Sequence, residues 1–348
     1  MTDILVLDDD HVLRLARFAL AGPGELNEDA VRQYFLPEEV DPQRLRAIAH
    51  GLQREDGVSL LPAAAAAAGS DAAILVFRRG TIDARMIAAH PRLRLIQRLG
   101  ARQDGIDVEA AAARGIRVSC LPRRTLITTA EHAILLVLAL GKRLIAADRA
   151  VRENRWDRSR VKPLDGVAFN WPGLSGLSGL HGKRLGIIGL GEVGAKVAQL
   201  AGAFGMSVAY TNRNRLGAGE EQELGVTYAP LQNLLGACDI VSLHAPPLPG
   251  NRHLMDSRAF AAMKQGGVFV NTSRGSLVDE DALYAALASG RLAGVGLDVH
   301  WREPRPQPDR LARLDNVILT PHCAAGSRTG VIDELSDVFD NCRALLAS

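Results

Sequence analysis

The chain has 348 residues, of which 47% are hydrophobic and 23% charged, and its formal net charge at pH 7 is +2. That length and composition predict a globular protein of two domains, each able to bury a core. The small net charge and the 4% of aromatic residues argue against the basic, aromatic-lined surface of a nucleic-acid-binding protein. We therefore predict no nucleic-acid partner.

The cysteines and the apolar runs bear on location. The four cysteines lie far apart and form no C-x-x-C, so neither a disulfide framework nor a zinc site is indicated. The first ten residues are acidic, unlike a signal peptide, and the longest apolar run, Ala133–Leu140, is well short of the ~20 residues of a membrane span. We expect reduced thiols, a cytoplasmic location and no membrane partner.

Strand and helix patterns alternate through the first third of the chain. This alternation predicts a parallel sheet whose ligands bind at the C-terminal ends of the strands. A six-alanine run at 63–68 predicts a helix or spacer, and residues 22–57 give no functional signal. The predicted strands are Ile4–Leu7, Ile74–Phe77, Leu93–Leu99 and Ile116–Leu121, and the predicted helices are Val12–Leu20, Ile82–Ala89 with Thr81 as its cap, and Val108–Arg114.

A long apolar segment from Thr125 to about Val151 predicts a helix that connects two domains. The repeat GLSGLSGL at 173–180 follows it and predicts a loop, to which we assign no function.

The stretch from Gly182 to Arg215 predicts a dinucleotide-binding unit. An apolar strand ends at Gly189-Leu190-Gly191-Glu192-Val193-Gly194, and helical spacing follows it. In this context the first glycine permits a tight turn, the second lets a pyrophosphate approach the backbone, and the third lets the helix pack on the strand. The alternative is a packing turn without a ligand.

The next strand ends in Thr211-Asn212-Arg213-Asn214-Arg215, where an NAD site usually carries Asp or Glu to hold the ribose. Because no acid stands there to repel a 2′-phosphate, we favour NADP, with NAD as the alternative. Arg213 or Arg215 is the candidate partner of that phosphate, unless both belong to a solvated turn.

Three polar clusters follow strands of the second half, which we predict at Ile240–His244, Val268–Thr272, Gly294–Val299 and Val317–Thr320. They carry Arg274, Glu303 and His322. A guanidinium grips a carboxylate in two places, a histidine transfers the proton that accompanies a hydride, and a carboxylate orients the histidine. The alternatives are that Arg274 is only a charge at a helix start, that Glu303 is a solvated acid, and that His322 is a loop histidine whose hydrogen bonds are satisfied within the protein.

Four motifs occur in the order typical of one enzyme family: GKRLGIIGLGEVG (182–194), NTSRGSLVDEDAL (271–283), GVGLDVHWREP (294–304) and TPHCAAGS (320–327). With them the chain resembles the D-isomer-specific 2-hydroxyacid dehydrogenases, which include glyoxylate/hydroxypyruvate reductases and phosphoglycerate dehydrogenases, over about Ile74 to Gly326. The resemblance implies that Arg274 binds the substrate's carboxylate and carbonyl, that His322 is the acid/base and that Glu303 orients and charges it.

The resemblance also implies an α/β fold of two doubly wound parallel-sheet domains: a discontinuous flavodoxin-like substrate domain (1–123 plus 321–348) and an inserted Rossmann domain (124–320). It further implies a homodimer to which the 125–147 segment contributes. Among the residues expected to bind the cofactor, Asp298 would contact the nicotinamide carboxamide. The residues expected to bind NADP or NAD are Gly189, Gly191, Glu192, Val193, Gly194, Thr211, Asn212, Arg213, His244, Thr272, Asp298 and His322.

The sequence departs from the family at the substrate loop. Gly100 and Ala101 are followed by Arg102 where the family has a second glycine, and Arg123 and Arg79 add guanidinium groups on neighbouring loops. We therefore expect a small 2-oxoacid or 2-hydroxyacid substrate that carries a second anionic group, recognised by Arg102 or Arg123. The alternative is that these arginines face solvent, or that Arg102 packs against Asp104. A different class of function, a regulatory protein that senses NAD(P)H on the same fold, is the alternative to an enzyme.

Overall fold

The computed structural model describes residues 4–7, 10–21, 28–52, 69–326 and 328–347. The chain divides into a discontinuous unit, Met1–Thr125 with Ser327–Ser348, and a continuous unit, Leu126–Gly326. The predicted alanine-run helix at 63–68 lies outside the described residues. Residues 321–326 belong to the continuous unit rather than to the predicted substrate domain. The reason is that the backbone N–H groups of Cys323 and Ala324 donate to Asp298 of that unit.

The discontinuous unit contains a parallel sheet in the order β1-β2-β3-β4. Alternate residues of each strand enter cores on opposite faces: Ile4 and Val6 pack on one side, Leu5 and Leu7 on the other. In the flavodoxin-like order 2-1-3-4-5, these four strands take the places of strands 1, 3, 4 and 5. The strands are β1 Ile4–Val6, β2 Ile74–Phe77, β3 Leu95–Leu99 and β4 Arg117–Leu121. The helices are α1 His11–Leu20, α2 Asp29–Tyr34, α3 Pro42–Ala47, α4 Ala84–Ala88, α5 Val108–Ala113 and a C-terminal helix Gly330–Leu346.

The continuous unit contains a seven-stranded parallel sheet in the order β7-β6-β5-β8-β9-β10-β11. This is the Rossmann order with one more strand, and the strand order reverses between β5 and β8, where such sheets bind dinucleotides. The prediction of two parallel-sheet α/β domains is confirmed. The strands are β5 Arg184–Ile188, β6 Ser207–Thr211, β7 Val226–Tyr228, β8 Ile240–Leu243, β9 Gly267–Asn271, β10 Leu292–Leu297 and β11 Val317–Leu319. The helices are α6 Leu126–Gly141, α7 Leu144–Arg152, α8 Glu192–Ala203, α9 Ala218–Leu224, α10 Leu231–Ala237, α11 Ser257–Ala262 and α12 Glu280–Ala288, with short 3₁₀ turns at Gly275–Leu277 and Leu311–Arg313.

Two local predictions are wrong in detail. The apolar segment 125–151 forms two helices rather than one. Arg143, between α6 and α7, adopts a left-handed backbone conformation (φ 49°), which interrupts the helical hydrogen bonding. The cap of α4 is Asp83 rather than Thr81, since the Asp83 carboxylate accepts from the Met86 N–H at 2.8 Å. In the part of the chain that the structure describes, no helix has both the length and the hydropathy to span a membrane.

Candidate active site

The glycine-rich turn between β5 and α8 has room for a ligand at one glycine only. A Cβ at Gly189, where φ is +95°, would lie 2.4 Å from the Ala245 nitrogen, and a Cβ at Gly194 would lie 2.5 Å from the Gly189 oxygen. A Cβ at Gly191, the N-cap of α8, would meet no atom within 4 Å. The turn therefore fits a pyrophosphate, which would lie over Gly191 against the helix N-terminus.

Side chains at the end of β6 make contacts that were not predicted from the sequence. The Asn212 Oδ1 atom accepts from the Leu190 N–H at 2.7 Å, so Asn212 fixes the glycine-rich turn. The Arg215 guanidinium makes two hydrogen bonds to Glu221, at 2.8 and 2.9 Å, and Tyr210 donates to the same carboxylate. Hydrogen bonds from Arg215 and Tyr210 lower the pKa of Glu221 to about 2. This ion pair occupies Arg215, whereas Arg213 is exposed and makes no hydrogen bond or ion pair within the described residues.

His244 follows β8 and lies between two hydroxyl groups. Its Nε2 atom is 2.8 Å from Ser242 Oγ, and its Nδ1 atom is 3.4 Å from Thr272 Oγ1. Burial lowers the pKa of His244 to about 4, so the ring is neutral at pH 7. The neutral ring therefore adds no charge beside Ser242 and Thr272.

Arg274 lies on a turn that the buried Asn271 holds in place. Asn271 Oδ1 accepts from the Ser273 N–H at 2.9 Å, and Asn271 Nδ2 donates to the Arg274 carbonyl at 3.0 Å. A Cβ at Gly275 would lie 2.0 Å from the His300 carbonyl carbon, so only glycine lets this turn approach the loop after β10. Arg274 is exposed at the C-terminal edge of the sheet.

Glu303 and His322, 19 residues apart in sequence, are hydrogen-bonded to each other. His322 Nδ1 and Glu303 Oε2 are 2.6 Å apart, and Glu303 Oε1 accepts from the His300 N–H at 2.9 Å. Partial burial raises the pKa of Glu303, but the hydrogen bonds from His322 and His300 lower it by more, so the net pKa lies below its ordinary value. An ionised Glu303 makes His322 Nδ1 the donor and directs Nε2 away from it.

The His322 backbone is also constrained. Its φ of 55° lies in the left-handed region, which a non-glycine residue seldom adopts. The Asp298 carboxylate holds this loop: it accepts from Thr320 Oγ1 at 2.6 Å and from the Cys323 and Ala324 N–H groups at 2.9 Å each. Burial raises the pKa of Asp298, but these hydrogen bonds lower it below its ordinary value.

The loop that carries Glu303 is anchored by Arg305. Its guanidinium bonds to Glu280 on α12 and to Asp309, and it donates to His300 Nδ1 at 3.1 Å. His300 Nε2 in turn donates to the Thr320 carbonyl at 2.9 Å. The loop after β10 is therefore held by α12 and by its hydrogen bond to the Thr320 carbonyl, at the start of the loop that carries His322.

Residues 134–324 match the family model for the D-isomer specific 2-hydroxyacid dehydrogenase NAD-binding domain. The chain belongs to the D-isomer specific 2-hydroxyacid dehydrogenase family. It is an enzyme that transfers hydride between a nicotinamide cofactor and a 2-oxoacid or 2-hydroxyacid, as predicted.

Known relatives agree on the class of substrate. A glyoxylate reductase of Korarchaeum cryptofilum is 42% identical over 246 residues, which are 71% of each chain. A D-3-phosphoglycerate dehydrogenase of Archaeoglobus fulgidus is 38% identical over 261 residues, 74% of this chain and 46% of that protein. The solved structure of an NADPH-dependent glyoxylate/hydroxypyruvate reductase of Sinorhizobium meliloti, in complex with citrate, is 31% identical, with a TM-score of 0.56, over 90% of this chain and 93% of that chain.

The predicted substrate residues of the dehydrogenase lie in the discontinuous unit, at the C-terminal ends of its strands. Arg98 supports the loop that contains Gly100 and Ala101. Its guanidinium donates to the carbonyls of Arg102 at 2.6 Å and Asp104 at 2.5 Å. The Arg123 Nε atom is 3.9 Å from Oε2 of the fully buried Glu334, and the Arg79 side chain is 63% exposed, 4.0 Å from Asp10. Arg123 therefore lies within ion-pair distance of a buried carboxyl group.

Four supporting residues were missed from the sequence: Asn271, Thr320, His300 and Arg98. Each is a polar residue in or just after a strand, and each bonds to the backbone or side chain of a neighbouring loop. A short polar residue that follows a buried strand commonly closes a turn in this way, and that signal would have found Asn271 and Thr320. His300 bonds to a residue 20 positions away, and Arg98 donates to backbone carbonyl groups, which every residue carries. No local sequence pattern indicates either contact.

Proposed function

We propose that the enzyme reduces a 2-oxoacid to the D-2-hydroxyacid with NADPH, and that His322 supplies the proton. The observation that carries this proposal is the 2.6 Å contact between His322 Nδ1 and Glu303, with Arg274 on the adjacent strand end of the same unit. Glu303 fixes the histidine so that Nε2 faces the substrate, and Arg274 grips the substrate carboxylate through two hydrogen bonds.

The residues that would hold the cofactor belong to the continuous unit. Gly191 leaves space for the pyrophosphate, Asn212 fixes the turn that forms this space, and neutral His244 with Thr272 lies at the end of β8 and β9. When bound, the nicotinamide supplies the hydride. An assay of 2-oxoacids with NADH and with NADPH, followed by absorbance, tests the reaction. Failure to oxidise either cofactor with any 2-oxoacid would contradict it.

The preference for NADPH rests on Arg213. The 2′-phosphate of NADPH is proposed to pair with the exposed Arg213, because Arg215 is held by Glu221 and Thr211 adds no negative charge. We expect Arg213→Ala to raise the KM for NADPH about tenfold and to leave the KM for NADH unchanged, since one charge-assisted contact is worth about 1.5 kcal/mol or more. Arg258→Ala, at another exposed arginine of this unit, is the control. An Arg213→Ala enzyme that kept its preference would exclude this residue.

The second anionic group is proposed to contact Arg102. This arginine stands on the loop after β3 that Arg98 braces, at the position where the family has a second glycine. We expect Arg102→Ala to lower kcat/KM about tenfold or more for a dicarboxylic 2-oxoacid and to change it little for glyoxylate. Arg117→Ala, at the N-terminal end of β4, is the control. Equal effects on both substrates would refute a dianion site.

A homodimer is proposed through α6, α7 and the loop that follows them. Ten large apolar side chains of this described stretch are exposed, and burial of such side chains between two chains favours association. Sedimentation equilibrium of the purified chain is expected to give twice the monomer mass. The exposed residues are Leu135, Leu144, Ile145, Val151, Trp156, Leu164, Val167, Phe169, Trp171 and Leu177.

A further inference from the structure

Ser242, His244 and Thr272 form a row of three polar side chains beside the point where the strand order of the continuous unit reverses. Ser242 lies on β8 and His244 just after it, two residues on, so both side chains point to the same face of the sheet. The register of β8 with β9 pairs Leu243 with Asn271, which brings Thr272 next to His244. Ser242 Oγ is 2.8 Å from His244 Nε2, and Thr272 Oγ1 is 3.4 Å from Nδ1. The sequence pointed to His244 and Thr272, but not to Ser242.

The backbone around His244 is held by other groups. The His244 N–H donates to the Ile188 carbonyl at 2.8 Å, and the Ser273 hydroxyl donates to the Ala245 carbonyl. Both contacts leave the Ser242 hydroxyl out. The backbone that carries the imidazole therefore does not depend on Ser242, and the effect of the hydroxyl falls on which ring nitrogen carries the proton.

The neutral imidazole of His244 has one proton to place on two nitrogens. Burial lowers the pKa of His244 to about 4, so at pH 7 one ring nitrogen donates and the other accepts. If Nε2 carried the proton, it would donate to Ser242, whose own hydroxyl proton has no other hydrogen-bond partner in the part of the chain that the structure describes. Ser242 is 1% exposed and cannot donate to solvent instead. Because a buried donor without an acceptor is costly, the Nδ1–H tautomer is favoured.

The Nδ1–H tautomer determines what Thr272 offers to a ligand. Ser242 then donates to Nε2, and Nδ1–H donates to Thr272 Oγ1. The hydroxyl proton of Thr272 points away from the ring, and among the described residues its oxygen bonds to His244 alone. Thr272 is 8% exposed, so its hydroxyl is the end of the row that a ligand can reach. The row therefore ends in a hydrogen-bond donor beside the crevice in which sheets of this order bind dinucleotides.

We propose that Ser242 is a positioning residue: through His244 it makes the Thr272 hydroxyl a hydrogen-bond donor to an oxygen atom of the nicotinamide dinucleotide. With the opposite tautomer, the Thr272 hydroxyl would donate to Nδ1 and would offer the ligand only lone pairs, which phosphate and carbonyl oxygen atoms do not bind. The donation by Thr272 rests on the proposed cofactor site, whereas the tautomer of His244 is a property of the protein alone.

Nuclear magnetic resonance reads the tautomer without cofactor or turnover. In a long-range proton–nitrogen spectrum of enzyme labelled with ¹⁵N-histidine, the shifts of the two ring nitrogens show which of them carries the proton. The His244 signals are those that disappear in His244→Gln. We expect Nδ1–H in the wild type, and we expect the Nε2–H tautomer to become populated in Ser242→Ala. An Nε2–H tautomer in the wild type would overturn the proposal, whether or not any variant folds.

Fluorescence titration with NADPH and with NADH tests the effect on binding. Ser242→Ala and Thr272→Val are each expected to raise both dissociation constants about three- to tenfold, the usual contribution of one hydrogen bond. The double variant is expected to bind no more weakly than Thr272→Val alone, because Ser242 acts only through the hydroxyl that valine lacks. Thr272→Ser keeps that hydroxyl and is expected to keep the wild-type affinity.

Ser119→Ala is the matched control. Ser119 is also a strand serine, and its Oγ accepts from Asn341 Nδ2 at 3.1 Å, but it lies on β4 of the other unit. This variant is expected to leave both dissociation constants unchanged. Additive losses in the double variant, or wild-type affinity in Ser242→Ala, would overturn the proposal and leave cofactor binding itself intact. If the wild type bound neither dinucleotide, the proposed function and the donation by Thr272 would fail together, whereas the tautomer result would stand.

Discussion

Replacement of His322 by alanine is expected to lower kcat for 2-oxoacid reduction about 10²–10⁴-fold, the usual contribution of a positioned general acid. The imidazole is the group that Glu303 orients at 2.6 Å, and its loss leaves the substrate carbonyl without that proton donor. The dissociation constant of NADPH, measured by fluorescence titration, is expected to change little, because the glycine-rich turn and Asn212 stay intact.

His253→Ala is the matched control for this variant. His253 is also exposed and also has a left-handed backbone, with φ of 54° against 55° for His322. Both substitutions therefore carry a similar backbone cost, and only one removes the proposed acid. If the two variants turned over at the same rate, the loss would come from the backbone and His322 would have no part in proton transfer.

The acid side of the pH profile follows from Glu303. Its pKa is lowered in the folded enzyme, so its carboxylate is ionised above that pKa and the orientation of His322 is lost only as the pH falls through it. The support from Glu303 is therefore present throughout the neutral range. Glu303→Gln removes the carboxylate at every pH, so the variant is expected to be slower than the wild type at pH 7 and to approach it only at strongly acidic pH.

Much of the fold could be predicted from the sequence because its signals are local. The strands Ile74–Phe77 and Leu95–Leu99 are short runs of mostly apolar residues, and the strands predicted at Ile74–Phe77 and Leu93–Leu99 match them closely. The break between α6 and α7 was missed although Gly141 ends α6, because a single glycine within a helical pattern is tolerated and Arg143 gives no breaker signal of its own.

The candidate site divides in the same way. The glycine-rich turn and the strand-end residues Arg274, Glu303 and His322 lie in contiguous motifs, so sequence identified them as candidates. The pairing of Arg215 with Glu221 and the burial of Asp298 depend on tertiary packing, which a linear pattern does not contain. The sequence therefore suggested two arginines for one phosphate, and the ion pair of Arg215 with Glu221 is the reason that we propose Arg213.

Removal of the Arg274 guanidinium is expected to lower kcat/KM about 10²–10⁴-fold, since two charge-assisted hydrogen bonds to the substrate contribute about 1.5–3 kcal/mol each. Asn271 and Gly275 hold the backbone of this turn independently of the Arg274 side chain, so Arg274→Ala is expected to fold normally. Arg274→Lys keeps the charge but loses the planar fork, and it is expected to recover only part of the loss. Steady-state kinetics with a 2-oxoacid measure both variants, with Arg258→Ala as the control. Full recovery in the lysine variant would mean that charge alone, rather than two-point recognition of the carboxylate, holds the substrate. If the alanine variant kept the wild-type kcat/KM, Arg274 would not bind the substrate carboxylate, and another cationic residue of the enzyme would have to bind it.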